Sequence, residues 1–254
     1  MPDPAARRAP GSAPARYLFV SDVHLDTGAV DAQRQFLEFL RTHAAGTHVL
    51  YILGDLFESW VGDDDAQGER SAVLAGLREL TRSGVACFLL HGNRDFLIGE
   101  DFCRETGCQL LPDPVIAAID GEPVLLTHGD ALCTDDHAYQ ELRTIVRTPA
   151  WQRRFLSLPL SDRQLLANEA RAGSRAHTAR TVPKIMDVNT AAVTAAFKSA
   201  RVRRIIHGHT HRPAVHDTLV EGQSVQRIVL GAWYEQGSYL AYEGGDYELR
   251  SLPR

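Results

Sequence analysis

Apolar residues fall mainly into short continuous runs along this chain. Five of them, at 17–20, 49–53, 85–90, 124–127 and 204–207, have the length and residue types of buried strands. Between the first three, apolar positions recur at helical spacing: Phe36, Leu37 and Leu40 share one face, and Val73, Leu77 and Leu80 another. Strands alternating with helices predict a largely parallel sheet covered on both faces. After residue 213 the pattern changes to four strand-like stretches, 214–220, 224–230, 238–242 and 247–252, separated by Gly-containing turns. These predict an antiparallel end to a second sheet.

The alternation breaks at about 135–186. There Leu142, Ile145 and Val146 are spaced for one helical face, and Trp151, Phe155 and Leu158 for a second, with Pro159 limiting that helix. Nearly fifty residues is too long for a connector, so the segment is expected to be a helical cap inserted into the domain, its apolar stripe packed on the body. A further helix follows, with Asp187 as N-cap and Val188, Ala192, Val193, Ala196 and Phe197 on one face. Residues 1–15, rich in Pro, Ala and Gly, are expected to form a disordered tail, and residues 16–254 one domain. No apolar segment follows Arg7-Arg8, so a signal peptide is not expected, and no run is long enough to span a bilayer.

Composition adds exclusions. Of the 254 residues, 44% are hydrophobic and 23% charged, which rules out collagen-like, disordered and disulfide-scaffold classes. Cys87, Cys103, Cys108 and Cys133 show neither a Cys-x-x-Cys pair nor zinc spacing and read as reduced thiols of a cytosolic protein. The formal charge of −5 argues against general nucleic-acid binding. That charge is unevenly spread. Residues 139–186 hold nine basic and three acidic side chains, a net of +6, against −11 over the remainder. One segment would then meet an anionic partner while another holds cations, unless the basic segment is simply a solvated helical hairpin.

Potential metal ligands stand directly after each of the five strand-like runs, where ligands gather in open α/β sheets. They are Ser21-Asp22-Val23-His24, Gly54-Asp55-Leu56-Phe57-Glu58, His91-Gly92-Asn93-Arg94-Asp95, His128-Gly129-Asp130 and His207-Gly208-His209-Thr210-His211. Alternation on an extended backbone would place Asp22 and His24 on one side, and likewise His209 and His211. Any one of these is an ordinary loop; five in series at strand ends predict a metal centre. Asp95 and Asp130 are candidates for orienting the ligands. His43, His48 and His216 have no motif context.

The series Asp-x-His, Gly-Asp, Gly-Asn, His-Gly and Gly-His-x-His resembles that of the calcineurin-like metallophosphoesterases, over residues 17–213. Longer runs resemble the UDP-2,3-diacylglucosamine hydrolases of lipid A synthesis: YILGDLFESWVGDDD at 51–65, HGNRDFLIG at 91–99, HGDALCTDDHAYQ at 128–140, IMDVN at 185–189 and IHGHTHRPAVH at 206–216. The resemblance implies an α/β sandwich of two mixed sheets flanked by helices, with a helical cap insert. It implies two divalent ions, Mn²⁺ in that family: one on Asp22, His24, Asp55 and His211, with Asp55 bridging, and the second completed by Asn93, His128 and His209. Such a pair clamps a phosphoryl group, offsets its charge and activates water. A mixed nitrogen and oxygen set suits Mn²⁺, Fe²⁺ or Zn²⁺ better than Ca²⁺.

Catalytic roles are implied for Asp55, Asn93, Arg94 and His209. Many members of the wider superfamily have His where this chain has Arg94. A guanidinium that pairs bidentately with phosphate oxygens suits a leaving group already stabilised as a phosphate. Substrate contacts are implied at Asn93, Arg94, Asp136, Tyr139, Arg171, Ser174 and His209. Thr178 and Thr181 stand where better-known members carry Asn and Lys, with Arg180 or Lys184 as replacement for the lost charge. The implied reaction is water attack on the α-phosphorus of UDP-2,3-diacylglucosamine, giving UMP and 2,3-diacylglucosamine 1-phosphate. It would occur at the cytoplasmic face of the inner membrane, on a peripheral enzyme facing anionic lipid, with no nucleic-acid or obligate protein partner. Two readings compete. A soluble nucleotide metallophosphoesterase would not need the apolar stripe at Trp151, Phe155 and Leu158. A non-catalytic metal-site scaffold binding a protein partner would typically have lost ligands, and all seven are present.

Overall fold

The alternation of side chains in the first strand sets the layering. In β1 (Arg16–Val20), Tyr17 and Phe19 enter one apolar cluster while Leu18 and Val20 enter another. The same holds for β2 (Val49–Ile52), where Val49 and Tyr51 oppose Leu50 and Ile52. A strand buried on both faces must lie between two layers. The structure, a computed structural model, describes residues 15–26, 28, 30–65, 69–180 and 187–253, without the side chains of residues 69 and 174–180.

On one side of this sheet lie α1 (Val30–Phe39), α2 (Glu69–Arg82) and α3 (Glu100–Thr106), which share a core with Leu18, Leu50 and Cys87 through Phe36, Leu77 and Phe102. β3 (Ala86–Leu90) and β4 (Gln109–Leu111) continue the parallel pairing from β2. The second sheet begins with β5 (Val115–Ile119) and β6 (Glu122–Leu126) and faces the first across a core that includes Tyr17, Phe19, Tyr51, Phe88, Val124 and Ile206. Phe19, Tyr51 and Phe88 stack in sequence across three strands, with centroids 5.2 and 5.3 Å apart. After β6 come α4 (His137–Val146), α5 (Pro149–Leu156), α6 (Leu160–Arg180) and α7 (Thr190–Ala200), then β7 (Arg204–His207). α7 covers the outer face of the second sheet through Val193 and Phe197. β8 (Ala214–Val220), β9 (Gln223–Val229), β10 (Gly237–Glu243) and β11 (Asp246–Leu252) complete the strands. The sheets run β11-β10-β1-β2-β3-β4 and β5-β6-β7-β9-β8, each with parallel and antiparallel pairs.

Several expectations change. The four C-terminal strands do not end one sheet. β8 and β9 close the second, but β10 and β11 cross over and pair antiparallel beside β1. β4, β5 and α3 escaped the hydrophobic pattern because each is short and partly exposed. Asp187 does not cap α7. Asn189 does, accepting from the N–H groups of Ala191 and Ala192, while Asp187 pairs with Arg212 at 2.6 Å. Leu158 lies beyond the end of α5. The α4 stripe is not packed on the body: Leu142 and Ile145 are 53% and 50% exposed, and α4 turns its polar side inward instead. Asp130 accepts from Arg143 Nε at 2.8 Å and from the Tyr139 hydroxyl, and Arg147 donates to the Gly92 carbonyl at 2.7 Å. Trp151 does pack inward, near Phe96 and stacked on Phe155. Residues 1–14 of the expected tail fall outside the described residues, but Ala15 does not belong to a tail: it is 2% exposed and packs in the core between the sheets. Among those described, no helix is long and apolar enough to cross a membrane.

Candidate metal centre

The five ligand-bearing loops leave the ends of β1, β2, β3, β6 and β7, and the backbone there is not extended. Asp22, His24, Asp55, His209 and His211 all adopt left-handed φ, between 52° and 66°. A non-Gly residue in that region is uncommon and costs on the order of 1–2 kcal/mol. Asp22 and His24 therefore reach one side by a curl of the chain, not by the strand alternation expected. The curl is held by Asp22 N–H donating to Gly54 O at 3.1 Å and His24 N–H to Asp55 O at 3.0 Å. Two glycines are required by contact. A Cβ on Gly92 would sit 2.0 Å from Asp55 Oδ1, and one on Gly208 would sit 1.9 Å from Ser21 Oγ and 2.2 Å from Asp22 Oδ2.

Backbone amides orient both carboxylates. Arg94 N–H donates to Asp55 Oδ1 at 2.8 Å, leaving Oδ2 to face His24 Nε2 at 3.9 Å and His128 Nε2 at 3.7 Å. His209 N–H donates to Asp22 Oδ2 at 2.9 Å, leaving Oδ1 toward His211 Nε2 at 3.2 Å and His24 Nε2 at 3.8 Å. Asn93 Oδ1 lies 3.0 Å from His128 Nε2 and 2.9 Å from His209 Nδ1. His128 Nδ1 lies 2.9 Å from the Leu53 carbonyl and donates to it, which leaves Nε2 free to ligate. Two ligand triads have all atoms within 4.8 Å of one another: Asp22, His24 and His211, and Asp22, Asp55 and His128. Asp22 is common to both triads, and Asp55, a member of the second, approaches the first through Oδ2, 3.9 Å from His24 Nε2.

The electrostatics ask for cations. Burial pushes Asp55 up to about 6, although His128 and His24 oppose it. Burial also raises Asp22, but the His211 hydrogen bond and the charges of His128, His211 and His24 outweigh it and hold it well below the carboxylate range. Burial lowers His128, yet Asp55 and Asp22 outweigh that and raise it to about 9; burial and His128 lower His209 to about 4. Neighbouring imidazoles pushed in opposite directions mark a crowded set of donors competing for protons that a divalent ion would displace. Four imidazoles, two carboxylates and one amide oxygen fit a pair of borderline divalent ions.

The sequence model for calcineurin-like phosphoesterase matches residues 15–213. The chain belongs to that family. Within these phosphoesterases it is 46% identical over 244 residues to the UDP-2,3-diacylglucosamine hydrolase of Stenotrophomonas maltophilia (strain K279a), covering 93% of this chain and 98% of that one. It is 47% identical over 236 residues to the hydrolase of the same name from Salmonella arizonae, and 46% identical to that of Pseudomonas paraeruginosa, with the same coverage.

The remaining expected site residues of this phosphoesterase are placed as follows. Arg94 donates its backbone N–H to Asp55 Oδ1, and its charge helps to hold Glu58 below the usual carboxylate range. Asp136 is the N-cap of α4, accepting from Tyr139 N–H at 3.1 Å. Tyr139 gives its hydroxyl to Asp130, and its ring lies near-parallel to His209 with centroids 6.1 Å apart. Arg171 reaches Asp26 at 3.4 Å. Thr181 and Lys184, and the side chains of Ser174, Thr178 and Arg180, lie outside what is described. Asp95 takes four backbone N–H groups, from Gly92, Asp55, Leu56 and Phe57, and ties the Asp55 loop to the Asn93 loop. Two neighbours were not singled out from sequence. Glu58 Oε2 lies 2.9 Å from His24 Nδ1, and the Tyr234 ring lies parallel to the His24 ring, centroids 5.0 Å apart. Glu58 stood in a quoted run, three residues past Asp55; nothing in the sequence distinguishes Tyr234.

Proposed function

We propose that this chain hydrolyses the diphosphate of UDP-2,3-diacylglucosamine by water attack on the α-phosphorus, releasing UMP and 2,3-diacylglucosamine 1-phosphate. One observation carries the chemistry: Asp55 Oδ2 borders the His24 group and the His128 group at once, at 3.9 and 3.7 Å. The near-full-length relatives of that name support the substrate. Asp22, His24, Asp55 and His211 would hold one divalent ion, and Asp55, Asn93, His128 and His209 a second, with Mn²⁺ our assignment for both. When bound, such a pair neutralises charge on phosphoryl oxygens and lowers the pKa of water toward neutrality.

The chain's own groups do the rest. The Asn93 amide, His209 and the Arg94 guanidinium stabilise charge on the phosphoryl oxygens, and Arg94 pairs with them bidentately. Because the Tyr139 hydroxyl is taken by Asp130, Tyr139 meets substrate through its ring. Asp136, Arg171, Ser174, Thr178, Thr181 and Lys184 complete the contacts to the sugar phosphate. Helices α4–α6 act as the cap and receive the acyl chains. Such chains favour lipid by about 0.8 kcal/mol per buried CH₂. The enzyme therefore works as a peripheral protein at the cytoplasmic face of the inner membrane, with the exposed side chains of Leu142, Ile145 and Leu165 and of Arg153 and Arg154 turned to anionic lipid.

The test is turnover of the lipid in detergent micelles with Mn²⁺ in ¹⁸O-water. Label is expected in UMP alone. Label confined to the lipid phosphate refutes attack at the α-phosphorus, and turnover of soluble dinucleotides without the lipid would favour the soluble phosphoesterase instead.

A further inference from the structure

His24 is hemmed in on every side. Its Nε2 faces Asp22 Oδ1 and Asp55 Oδ2 and lies 3.2 Å from His211 Nε2. One face of the ring lies against Tyr234, at an interplanar angle of 11°, and His211 meets it edge-on at 75°. Those contacts fix the ring plane. They leave the second nitrogen, Nδ1, buried and turned away from the ligand triads, 2.9 Å from Glu58 Oε2. The carboxylate sits off the line of the N–H at that distance.

An imidazole ligates a cation through one nitrogen only if its proton resides on the other. A carboxylate at that other nitrogen selects the tautomer and locks the ring orientation. We propose that Glu58 is a positioning residue for His24: it holds the N–H at Nδ1 and so presents the Nε2 lone pair to the first divalent ion. Glu58 belongs to neither ligand triad and stands behind His24 rather than among the ligands. Its own backbone N–H donates to the Leu25 carbonyl at 3.0 Å, so the Glu58 loop is stitched to the residue that follows His24. Arg94 and Arg171 are the cations that face its carboxylate. The pairing places a negative charge behind the first ligand group, next to the two arginines assigned to substrate.

The proposal rests on the two-ion reading, and its test uses Mn²⁺ alone, without substrate. Metal-free full-length protein is titrated by calorimetry. In Glu58→Ala, one of the two Mn²⁺ dissociation constants rises about 10–100-fold while the other stays within about threefold, the range for loss of a ligand's orienting partner. The thermal midpoint of the metal-free protein is unchanged. Glu58→Gln, whose amide oxygen still accepts from Nδ1, recovers most of the affinity. Wild-type dissociation constants in Glu58→Ala overturn the proposal. So does equal weakening at both sites with a lowered metal-free midpoint, which would mark Glu58 as structural only. A wild-type protein that binds no Mn²⁺ overturns the two-ion reading itself, and this proposal with it.

Discussion

Replacing Asp95 by Ala is expected to destabilise the protein severely without touching a predicted ligand. The carboxylate is fully buried. Its Oδ1 accepts from Gly92 N–H at 2.9 Å and Asp55 N–H at 3.2 Å, and its Oδ2 from Leu56 N–H at 2.7 Å and Phe57 N–H at 3.4 Å. A buried N–H left without an acceptor costs about 1–3 kcal/mol. Counting only the two shortest bonds, the loss is about 2–6 kcal/mol. For a domain of this size each kcal/mol lowers Tm by about 2–4 °C, so the midpoint should fall by about 4–24 °C. Urea unfolding of the metal-free protein is the assay, because bound metal would add its own stabilisation. Asp95→Asn keeps one acceptor but turns an NH₂ toward the other donors, and should fall between wild type and Asp95→Ala. A loss below about 1 kcal/mol in Asp95→Ala would falsify the reasoning, since it would mean the four amides find other partners at no cost.

Asp55→Ala and His209→Ala should each abolish turnover while far-ultraviolet circular dichroism stays native; near-normal rates would remove them from the site. Gly92→Ala drives a Cβ to 2.0 Å from Asp55 Oδ1, so Mn²⁺ affinity measured by calorimetry should collapse, and wild-type affinity would show that the two loops are not in close contact. Metal removal should be more damaging at high pH. Asp55, pushed up to about 6 by burial, contributes stability to the metal-free fold that is fully present below 3.8 and is lost as pH rises through about 6. His128, raised to about 9 by Asp55 and Asp22 against burial, contributes stability present below 6.5 and lost through about 9. Burial lowers His209 to about 4 and His207 to about 3, which acts the other way but only below 6.5. The Tm gap between Mn²⁺-loaded and chelator-treated protein should therefore widen from pH 7 to pH 9; a constant or narrowing gap refutes this.

Most of what positions the site could be read from the sequence, because it depends on local rules. A run such as 49–53 is apolar throughout since both of its faces are covered, and the polar residues after it mark the strand end. Even so, Asp22 and His24 came to the expected side for another reason: both sit in left-handed backbone, which spacing alone cannot show. The destination of β10 was not legible, because a hairpin reads the same whichever sheet it joins. Tyr234 was invisible because its role comes from a ring meeting His24 from 210 positions further along the chain.

Charge gave a coarser signal. The +6 of residues 139–186 suggested a surface aimed at anions, yet of the six cations there whose side chains are described, four pair with carboxylates outside the segment. Arg143 and Arg147 approach Asp130, Arg163 pairs with Asp64 and donates to the Val61 carbonyl, and Arg171 reaches Asp26. Composition cannot separate a cation facing solvent from one whose partner lies far along the chain, as Asp64 does from Arg163. Exposed ion pairs contribute little, and Asp64 is 60% exposed; Asp130 is fully buried, and stripping it of its arginines would strand a charge at a cost of about 3–5 kcal/mol. These arginines are therefore clamps. α4 is fixed to the loops carrying Asn93 and His128 and cannot swing away without stranding Asp130, and α6 is tied to the turn at Val61 and Asp64 by the Arg163 hydrogen bonds.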